Sequence, residues 1–216
     1  MREKLIETIE KEKLIVIVRG VEKEKLIPLA EAMYEGGIRL LEITYSQSGA
    51  PSDEEIYESI KLLSEHFKGR MFIGSGTTLT KKQVKLTKKA GGSFIISPDV
   101  NAAVIKKTRK LGLVSIPGAL TPSEVATAHA AGADFVKLFP ITSLGPSYFK
   151  AVKAPLSAIK YLAVGGIDEN NMAEYLEAGV FGFGLGSNIV DKKLISENEY
   201  EKITELAKRY VAAVAK

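Results

Sequence analysis

The sequence contains no cysteine and no tryptophan, and only two of its 216 residues are histidine. Without cysteine, the protein has no disulfides, no thiolate metal ligands and no cysteine nucleophile. Two histidines are too few for a metal site built on imidazole ligands, so we expect no metal site. His66 and His129 lie in helix-like segments, and we expect both at the surface.

Long apolar runs are also absent. No apolar stretch reaches the roughly 20 residues that span a membrane, and residues 1–13 are charged and helix-like rather than a signal peptide. Lysine and arginine exceed aspartate and glutamate only by 30 to 26, and the net charge of +4 is spread along the chain. We therefore expect a cytoplasmic protein with no membrane or nucleic-acid partner, whose slight positive charge suits an anionic small molecule.

Strand-like and helix-like segments alternate along the whole chain. The apolar and β-branched pattern predicts strands over 14–18, 38–44, 71–73, 93–97, 113–116, 134–138, 160–164 and 180–185. It predicts helices over 22–34, 53–67, 80–90, 101–110, 121–131, 148–152, 168–178 and 197–214. Short linkers and uniform composition favour one domain over 1–216, a (β/α)8 TIM barrel with an extra N-terminal helix. A doubly wound sheet is the alternative, although it normally has fewer units.

One lysine, Lys137, lies in the middle of the apolar strand 134–138. Burying an ammonium group costs several kcal/mol, so strands of this kind normally exclude lysine. Either the amine reaches water from the strand end, or the barrel holds it as a nucleophile. Glu42 poses the same question, because it is the only acid in the core of the second strand. The two groups form either a structural salt bridge or the minimum set for Schiff-base chemistry, in which an amine attacks a ketone and an acid moves protons.

The active sites of TIM barrels lie at the C-terminal ends of the strands. The residues that we expect there are Arg19, Glu42, Thr44, Thr77, Pro98, Pro117, Lys137, Gly165, Gly166, Gly186 and Ser187. Glycines at the ends of the last two strands allow backbone amides to approach a phosphate, although they also suit tight packing alone. The spacing Gly182-x-Gly184-x-Gly186 is not that of a dinucleotide site.

With these residues placed, the whole chain resembles the 2-keto-3-deoxy-6-phosphogluconate/4-hydroxy-2-oxoglutarate aldolases, the KDPG/KHG aldolase family. The motifs that carry the resemblance are Leu41-Glu42-Ile43-Thr44, Gly74-Ser75-Gly76-Thr77, Ile96-Ser97-Pro98, Ile116-Pro117-Gly118, Phe135-Val136-Lys137-Leu138-Phe139-Pro140, Gly165-Gly166-Ile167 and Gly186-Ser187. The resemblance implies a class I aldolase on a homotrimeric barrel, without metal or other cofactor. Such an enzyme cleaves 2-keto-3-deoxy-6-phospho-sugar acids to pyruvate and glyceraldehyde 3-phosphate, or 4-hydroxy-2-oxoglutarate to pyruvate and glyoxylate.

The resemblance also implies a role for each matching residue. It makes Lys137 the Schiff-base lysine and Glu42 the general acid and base. Thr77 would hold the substrate carboxylate, and Pro98 and Phe139 would line the pocket. The phosphate would lie on Gly165, Gly166, Gly186 and Ser187.

Two positions depart from the pattern of the gluconate-specific members. Ser46 stands where those members have an arginine that helps with a carboxylate, and we expect Arg19 to replace it. Val164 stands where they have a threonine, directly before the paired glycines. This valine and the segments 144–146 and 183–188 are closer to the 2-dehydro-3-deoxy-6-phosphogalactonate aldolase branch, while residues 45–48 match neither branch. The preferred epimer is therefore open.

Two alternatives from other classes remain. A phosphate-binding barrel isomerase or synthase would share only the glycine-rich end and would not need Lys137. A trimeric barrel could also be a non-catalytic scaffold redesigned for a larger assembly, which the absence of cysteine and tryptophan allows. The intact pair of Lys137 and Glu42 argues against the scaffold.

Overall fold

The structure is a computed structural model that describes residues 2–215. Met1, which we included in the predicted N-terminal helix, lies outside the described residues, as does Lys216. The strands are β1 Leu14–Val18, β2 Leu40–Thr44, β3 Phe72–Gly76, β4 Phe94–Ile96, β5 Val114–Ile116, β6 Gly118–Ala119, β7 Val136–Leu138, β8 Tyr161–Val164 and β9 Gly182–Leu185. The helices are α1 Arg2–Glu12, α2 Lys23–Glu35, α3 Asp53–His66, α4 Lys81–Lys89, α5 Ala102–Lys110, α6 Pro122–Ala130, α7 Gly145–Lys153, α8 Met172–Ala178, α9 Lys192–Ser196 and α10 Tyr200–Val214.

All strands are parallel and form one sheet in the order β5-β4-β3-β2-β1-β9-β8-β7-β6. β5 and β6 are the two halves of one barrel strand, interrupted at Pro117. β5 pairs with β4, and β6 pairs with β7. Hydrogen bonds from Phe135 N to Ser115 O (3.3 Å) and from Lys137 N to Pro117 O (2.9 Å) join the two edges. The sheet therefore closes into an eight-stranded barrel, which confirms the predicted fold.

Apolar side chains fill the barrel from its N-terminal end. The cluster there contains Ile15, Leu40, Phe94 and Phe135 together with Leu5 and Ile9 of α1. Successive residues of a strand point to opposite faces, so the neighbours of these residues pack against the outer helices. Leu41 and Val136 belong to that outer cluster. The extra helix α1 therefore covers the N-terminal end and leaves the C-terminal end of the barrel open.

Side-chain caps begin several helices as the sequence predicts. Thr121 and Glu124 form a reciprocal capping box at the start of α6. Thr80 caps α4 with Gln83, and Asn101 caps α5. Each cap satisfies backbone N–H groups that have no partner in the helix, which is worth about 1 kcal/mol.

Several elements differ from the prediction. β3 continues to Gly76, because Gly74 to Gly76 pair in register with Glu42 to Thr44 instead of forming a loop. α7 begins at Gly145, before the predicted 148. The predicted cap at Asp168 is wrong, since its carboxylate accepts a bond from Asn170 N (2.8 Å) within a turn and α8 begins only at Met172. The short helix α9 was not predicted.

The positions of the two histidines agree with the prediction from the sequence. His66 and His129 are both exposed, as expected. Between residues 2 and 215, no helix is both long enough and apolar enough to cross a membrane.

Candidate active site

Lys137 is buried inside the barrel, on the C-terminal side of the apolar cluster. It stands on β7 two residues beyond Phe135, in register with Gly118 of β6 and Leu162 of β8. Only 7% of the residue is exposed, and its Nζ lies 4.7 Å from the centre of the Phe139 ring. The side chain therefore does not extend to water. Burial lowers the pKa of Lys137, and Arg19 lowers it further, while Glu42 and Asp99 oppose the shift.

Glu42 is buried on the neighbouring part of the barrel wall. It lies on β2 in register with Ile17 and Gly74, and 2% of it is exposed. Its Oε2 has no hydrogen-bond partner among the described residues. Burial raises the pKa of Glu42, against the opposing charges of Lys137 and Arg19. The pair therefore combines an amine that loses its proton easily with a carboxyl group that retains one.

The salt bridge that we considered between these two residues is not formed. Within residues 2–215, Nζ of Lys137 does not lie within 4.0 Å of a carboxylate oxygen of Glu42 or of another acid. The two groups still sense each other's charge, as their opposing effects on the two pKa values show.

Two glycines in the barrel wall leave room for neighbouring groups. A Cβ atom on Gly76 would collide with the carboxyl group of Glu42. A Cβ on Gly118 would stand 2.6 Å from the carbonyl oxygen of Pro98, which approaches from β4. Both glycines have buried, strand-like positions, so the close approach explains them.

Thr77 and Arg19, the two residues predicted to hold a carboxylate, contact each other. Arg19 follows β1, and its Nη2 donates a 2.9 Å hydrogen bond to Thr77 Oγ1. Thr77 follows β3 with a φ of 52°. A β-branched residue rarely adopts this left-handed conformation, which costs about 1–3 kcal/mol and persists only where the surroundings enforce it. Ser46, in contrast, bonds to the carbonyl of Ala50 in its own loop (2.9 Å).

Arg19 also lines a cavity of about 610 Å³ at the end of β1 and β9. The cavity contains two predicted phosphate residues, Gly186 and Ser187, and two lysines from α9, Lys192 and Lys193. Nζ of Lys192 lies 3.9 Å from the position of a Cβ on Gly20. Sequence reasoning missed both lysines, because nothing in 188–199 suggested a helix that returns to the barrel.

The predicted phosphate glycines differ in what surrounds them. Gly165 and Gly166 have φ values of 95° and 68°, and a Cβ on Gly166 would collide with Thr142. Gly166 therefore serves packing as well as backbone shape. A Cβ on Gly186 would meet nothing within 4 Å. Packing does not explain Gly186, whose backbone stays open to a ligand.

No group of three His, Asp or Glu side chains in the described part of the chain could hold a metal ion. The groups that could hold a ligand are instead the cations and backbone amides at the C-terminal end of the barrel. Lys137 and Glu42 lie on β7 and β2, Thr77 and Arg19 follow β3 and β1, and Arg19 also lines the cavity.

A buried amine and a buried carboxyl group without a hydrogen-bond partner, both inside a (β/α)8 barrel, are the two groups that a class I aldolase requires. The chain belongs to the KDPG and KHG aldolase family, whose family model matches residues 5–206. This match confirms the family that the sequence motifs indicate.

The relatives include galactonate and gluconate enzymes. A probable 2-dehydro-3-deoxy-6-phosphogalactonate aldolase of Rhizobium meliloti (strain 1021) is 37% identical over 177 residues, 82% of this chain and 81% of that protein. The 2-dehydro-3-deoxy-6-phosphogalactonate aldolase of Escherichia coli (strain K12) is 33% identical over 94% of this chain and 97% of its own length. The structure of KDPG aldolase from Legionella pneumophila, with pyruvate captured as a covalent carbinolamine, has a TM-score of 0.85 and 29% identity, covering 95% of this chain and 97% of that one.

Proposed function

We propose that the protein cleaves 2-keto-3-deoxy-6-phospho-sugar acids to pyruvate and glyceraldehyde 3-phosphate, with Lys137 as the Schiff-base residue. The observation that carries this proposal is the buried amine of Lys137, whose lowered pKa makes it a nucleophile, beside a carboxyl group without a partner. The carbinolamine of pyruvate in the Legionella relative supports the same chemistry here.

The first half of the reaction forms the imine and breaks the carbon–carbon bond. Neutral Lys137 attacks the C2 ketone, and loss of water gives a protonated imine. Glu42 takes the proton of the C4 hydroxyl, directly or through a water, and the C3–C4 electron pair moves into the imine. The products of this step are glyceraldehyde 3-phosphate and an enamine bound to Lys137.

The second half regenerates the amine. Glu42, now protonated, returns its proton to C3 of the enamine, and water hydrolyses the resulting imine to free pyruvate. The raised pKa of Glu42 suits this role, because the carboxyl group must both accept and donate a proton near neutral pH. Phe139, whose ring centre lies 4.7 Å from Nζ of Lys137, lines the pocket around the reacting carbons together with Pro98 in this proposal.

Cations and backbone amides bind the two anionic ends of the substrate. Thr77 and Arg19 hold the carboxylate through the hydroxyl and guanidinium that already contact each other. The phosphate lies toward Gly165, Gly166, Gly186 and Ser187. Lys192 supplies a positive charge at that end of the cavity.

The galactonate epimer is the preferred substrate in this proposal. The two galactonate relatives named above share 37% and 33% identity with the chain. Val164 adds no hydroxyl group at the end of β8, and its methyl groups approach Gly184 instead. The unphosphorylated 4-hydroxy-2-oxoglutarate fits the same reacting centre and is a second, poorer substrate, because it leaves the phosphate end empty.

The assembly and location follow from the family resemblance. The proposal is a cytoplasmic homotrimer of single-domain barrels, with about three times the 23.4 kDa mass of one chain. Light scattering at micromolar concentration measures the mass directly. A monomer would contradict the trimer and would leave the chemistry of Lys137 and Glu42 unaffected.

A coupled assay of pyruvate release tests the activity. Both epimers of the phosphorylated acid and 4-hydroxy-2-oxoglutarate are measured side by side with the native protein and with Lys137→Met, which keeps the volume of the side chain. We expect release from all three substrates, fastest from the galactonate epimer, and none with Lys137→Met. Full pyruvate release by Lys137→Met would show that Lys137 is not the Schiff-base residue. No release by the native protein would favour an isomerase, a synthase or a scaffold.

A further inference from the structure

A chain of buried hydroxyl groups lies between β3 and α4, beside the proposed active site. Tyr45 OH is 3.2 Å from Thr87 Oγ1, and Thr87 Oγ1 is 2.8 Å from Ser75 Oγ. Tyr45 OH and Thr87 Oγ1 also lie 3.2 and 2.9 Å from the carbonyl oxygen of Gln83. Ser75 Oγ is in turn 2.8 Å from Thr78 Oγ1. All four residues have an exposed fraction of 0%. Buried hydroxyl groups are costly without partners, so a satisfied chain of four holds its members in one arrangement.

The chain ends on the residue that follows Thr77. Besides the bond from its hydroxyl to Ser75, Thr78 donates its N–H to Ile96 O (3.2 Å). Its carbonyl accepts a 2.7 Å bond from Ser97 Oγ. Thr78 is therefore fixed through its side chain and through both of its backbone polar groups.

The preceding residue needs such support. Thr77 has a φ of 52°, which a β-branched residue adopts only when its surroundings enforce it. In this conformation its hydroxyl meets Nη2 of Arg19 at 2.9 Å. If Thr77 adopted a negative φ, its hydroxyl would point away from Arg19, because a change in φ changes the direction of the side chain relative to β3.

We propose that Thr78, Ser75, Thr87 and Tyr45 are positioning residues that hold Thr77 in its left-handed conformation, so that Thr77 and Arg19 together bind the substrate carboxylate. This inference rests on the proposed function, since it assigns the carboxylate to Thr77 and Arg19. None of the four residues touches the substrate. They act through the backbone of Thr77, so their loss weakens carboxylate binding and leaves the chemistry of Lys137 intact.

Thr78→Val is the decisive variant, because it replaces the hydroxyl with a methyl group of the same size. Thr78→Ser restores the hydroxyl and is the rescue variant. Thr108→Val is the matched control, since Thr108 is equally buried and its hydroxyl donates to Val104 O (2.9 Å) within its own helix, α5. Ser75→Ala breaks the chain at its next member and serves if Thr78→Val does not fold.

The measurement is the pyruvate concentration that gives half-maximal inactivation by borohydride, together with KM, kcat and Tm. We expect Thr78→Val to raise this concentration and KM by roughly tenfold, with a smaller change in kcat. Thr78→Ser should restore both values. Thr108→Val should lower Tm about as much as Thr78→Val and leave pyruvate binding unchanged.

Two results would overturn the inference and are distinguishable from failure of the proposed function. One is an unchanged pyruvate requirement in Thr78→Val, with the loss of Tm seen in the control. The other is a crystal structure of Thr78→Val in which Thr77 keeps its positive φ and its bond to Arg19. Absence of inactivation in the native protein would instead overturn the proposed function, and the inference with it.

Discussion

Gly76 leaves open the space that the carboxyl group of Glu42 occupies. The two residues face each other across β2 and β3, where Glu42 is in register with Gly74 and Thr44 with Gly76. A Cβ on Gly76 would collide with the Glu42 carboxyl, which is the mobile end of a side chain rather than backbone. A substitution at Gly76 can therefore displace the carboxyl without breaking the sheet.

Gly76→Ala should lower kcat by about 100-fold while circular dichroism remains native, because a shift of about 1 Å in a catalytic group has this effect. The control is the double variant with Glu42→Gln. If Gly76→Ala acts by moving Glu42, it costs little further activity once Glu42 is gone. Independent, additive losses in the double variant would show that Gly76 matters for another reason.

Glu42 should also make stability depend on pH. Burial raises the pKa of Glu42 above 4.5 in the folded state. The stability of the folded protein with a neutral Glu42 is therefore fully present below pH 4.5. This stability is lost as the pH rises through the folded pKa. Glu42→Gln removes this loss. Its free energy of unfolding, measured with urea, should rise relative to that of the native protein as the pH rises above about 4.5.

Glu124→Gln is the control of opposite sign. Backbone hydrogen bonds from Thr121 and Leu120 lower the pKa of Glu124. Its stabilising effect is therefore present above pH 4.5 and is lost as the pH falls through the folded pKa. Relative to the native protein, Glu124→Gln should lose stability as the pH rises, and a parallel response of both variants would contradict this assignment.

The sequence was sufficient to predict the barrel and the central pair, because both depend on local patterns. A lysine within the apolar run of β7 and a glutamate within that of β2 are unusual in any strand, because burying a charge is costly. They can be recognised without knowing how the strands pair. The same holds for the caps Thr121 and Asn101, which involve residues two or three positions away. These features need no knowledge of which elements come together.

The features that were missed depend on tertiary contact. The Gly74-Ser75-Gly76 segment resembles a loop by composition, but it is a strand because it pairs with β2. Its two glycines leave the space that Phe94 and Glu42 fill. Helix α9 brings Lys192 to the cavity, although its sequence is too short to show a periodic pattern. The hydroxyl chain from Tyr45 to Thr78 joins residues up to 42 positions apart in sequence.

Lys192→Met tests the charge at the phosphate end. Lys192 lines the cavity beside Arg19 and Ser187, so its loss should raise KM for the phosphorylated substrates by about three- to tenfold. The KM for 4-hydroxy-2-oxoglutarate should not change, because that substrate has no phosphate. Lys110→Met, at the end of α5 on the opposite side of the barrel, is the control for net charge. An equal rise in KM for all substrates would show that Lys192 does not act through the phosphate.

Val164→Thr tests the choice between epimers. Threonine has nearly the shape of valine, so the packing against Gly184 is retained while a hydroxyl is added at the end of β8. The ratio of kcat/KM for the galactonate epimer to that for the gluconate epimer should fall by about tenfold, the effect of one well-placed hydrogen bond. An unchanged ratio with full activity would show that residue 164 does not read the hydroxyl configuration.

The covalent intermediate tests the central claim most directly. The native protein is mixed with pyruvate and borohydride, digested, and examined by mass spectrometry, with Lys137→Met treated in parallel. The account predicts one reduced pyruvate adduct, located on Lys137, and complete loss of activity as it forms. No adduct, or an adduct on another lysine that is still present in Lys137→Met, would contradict it.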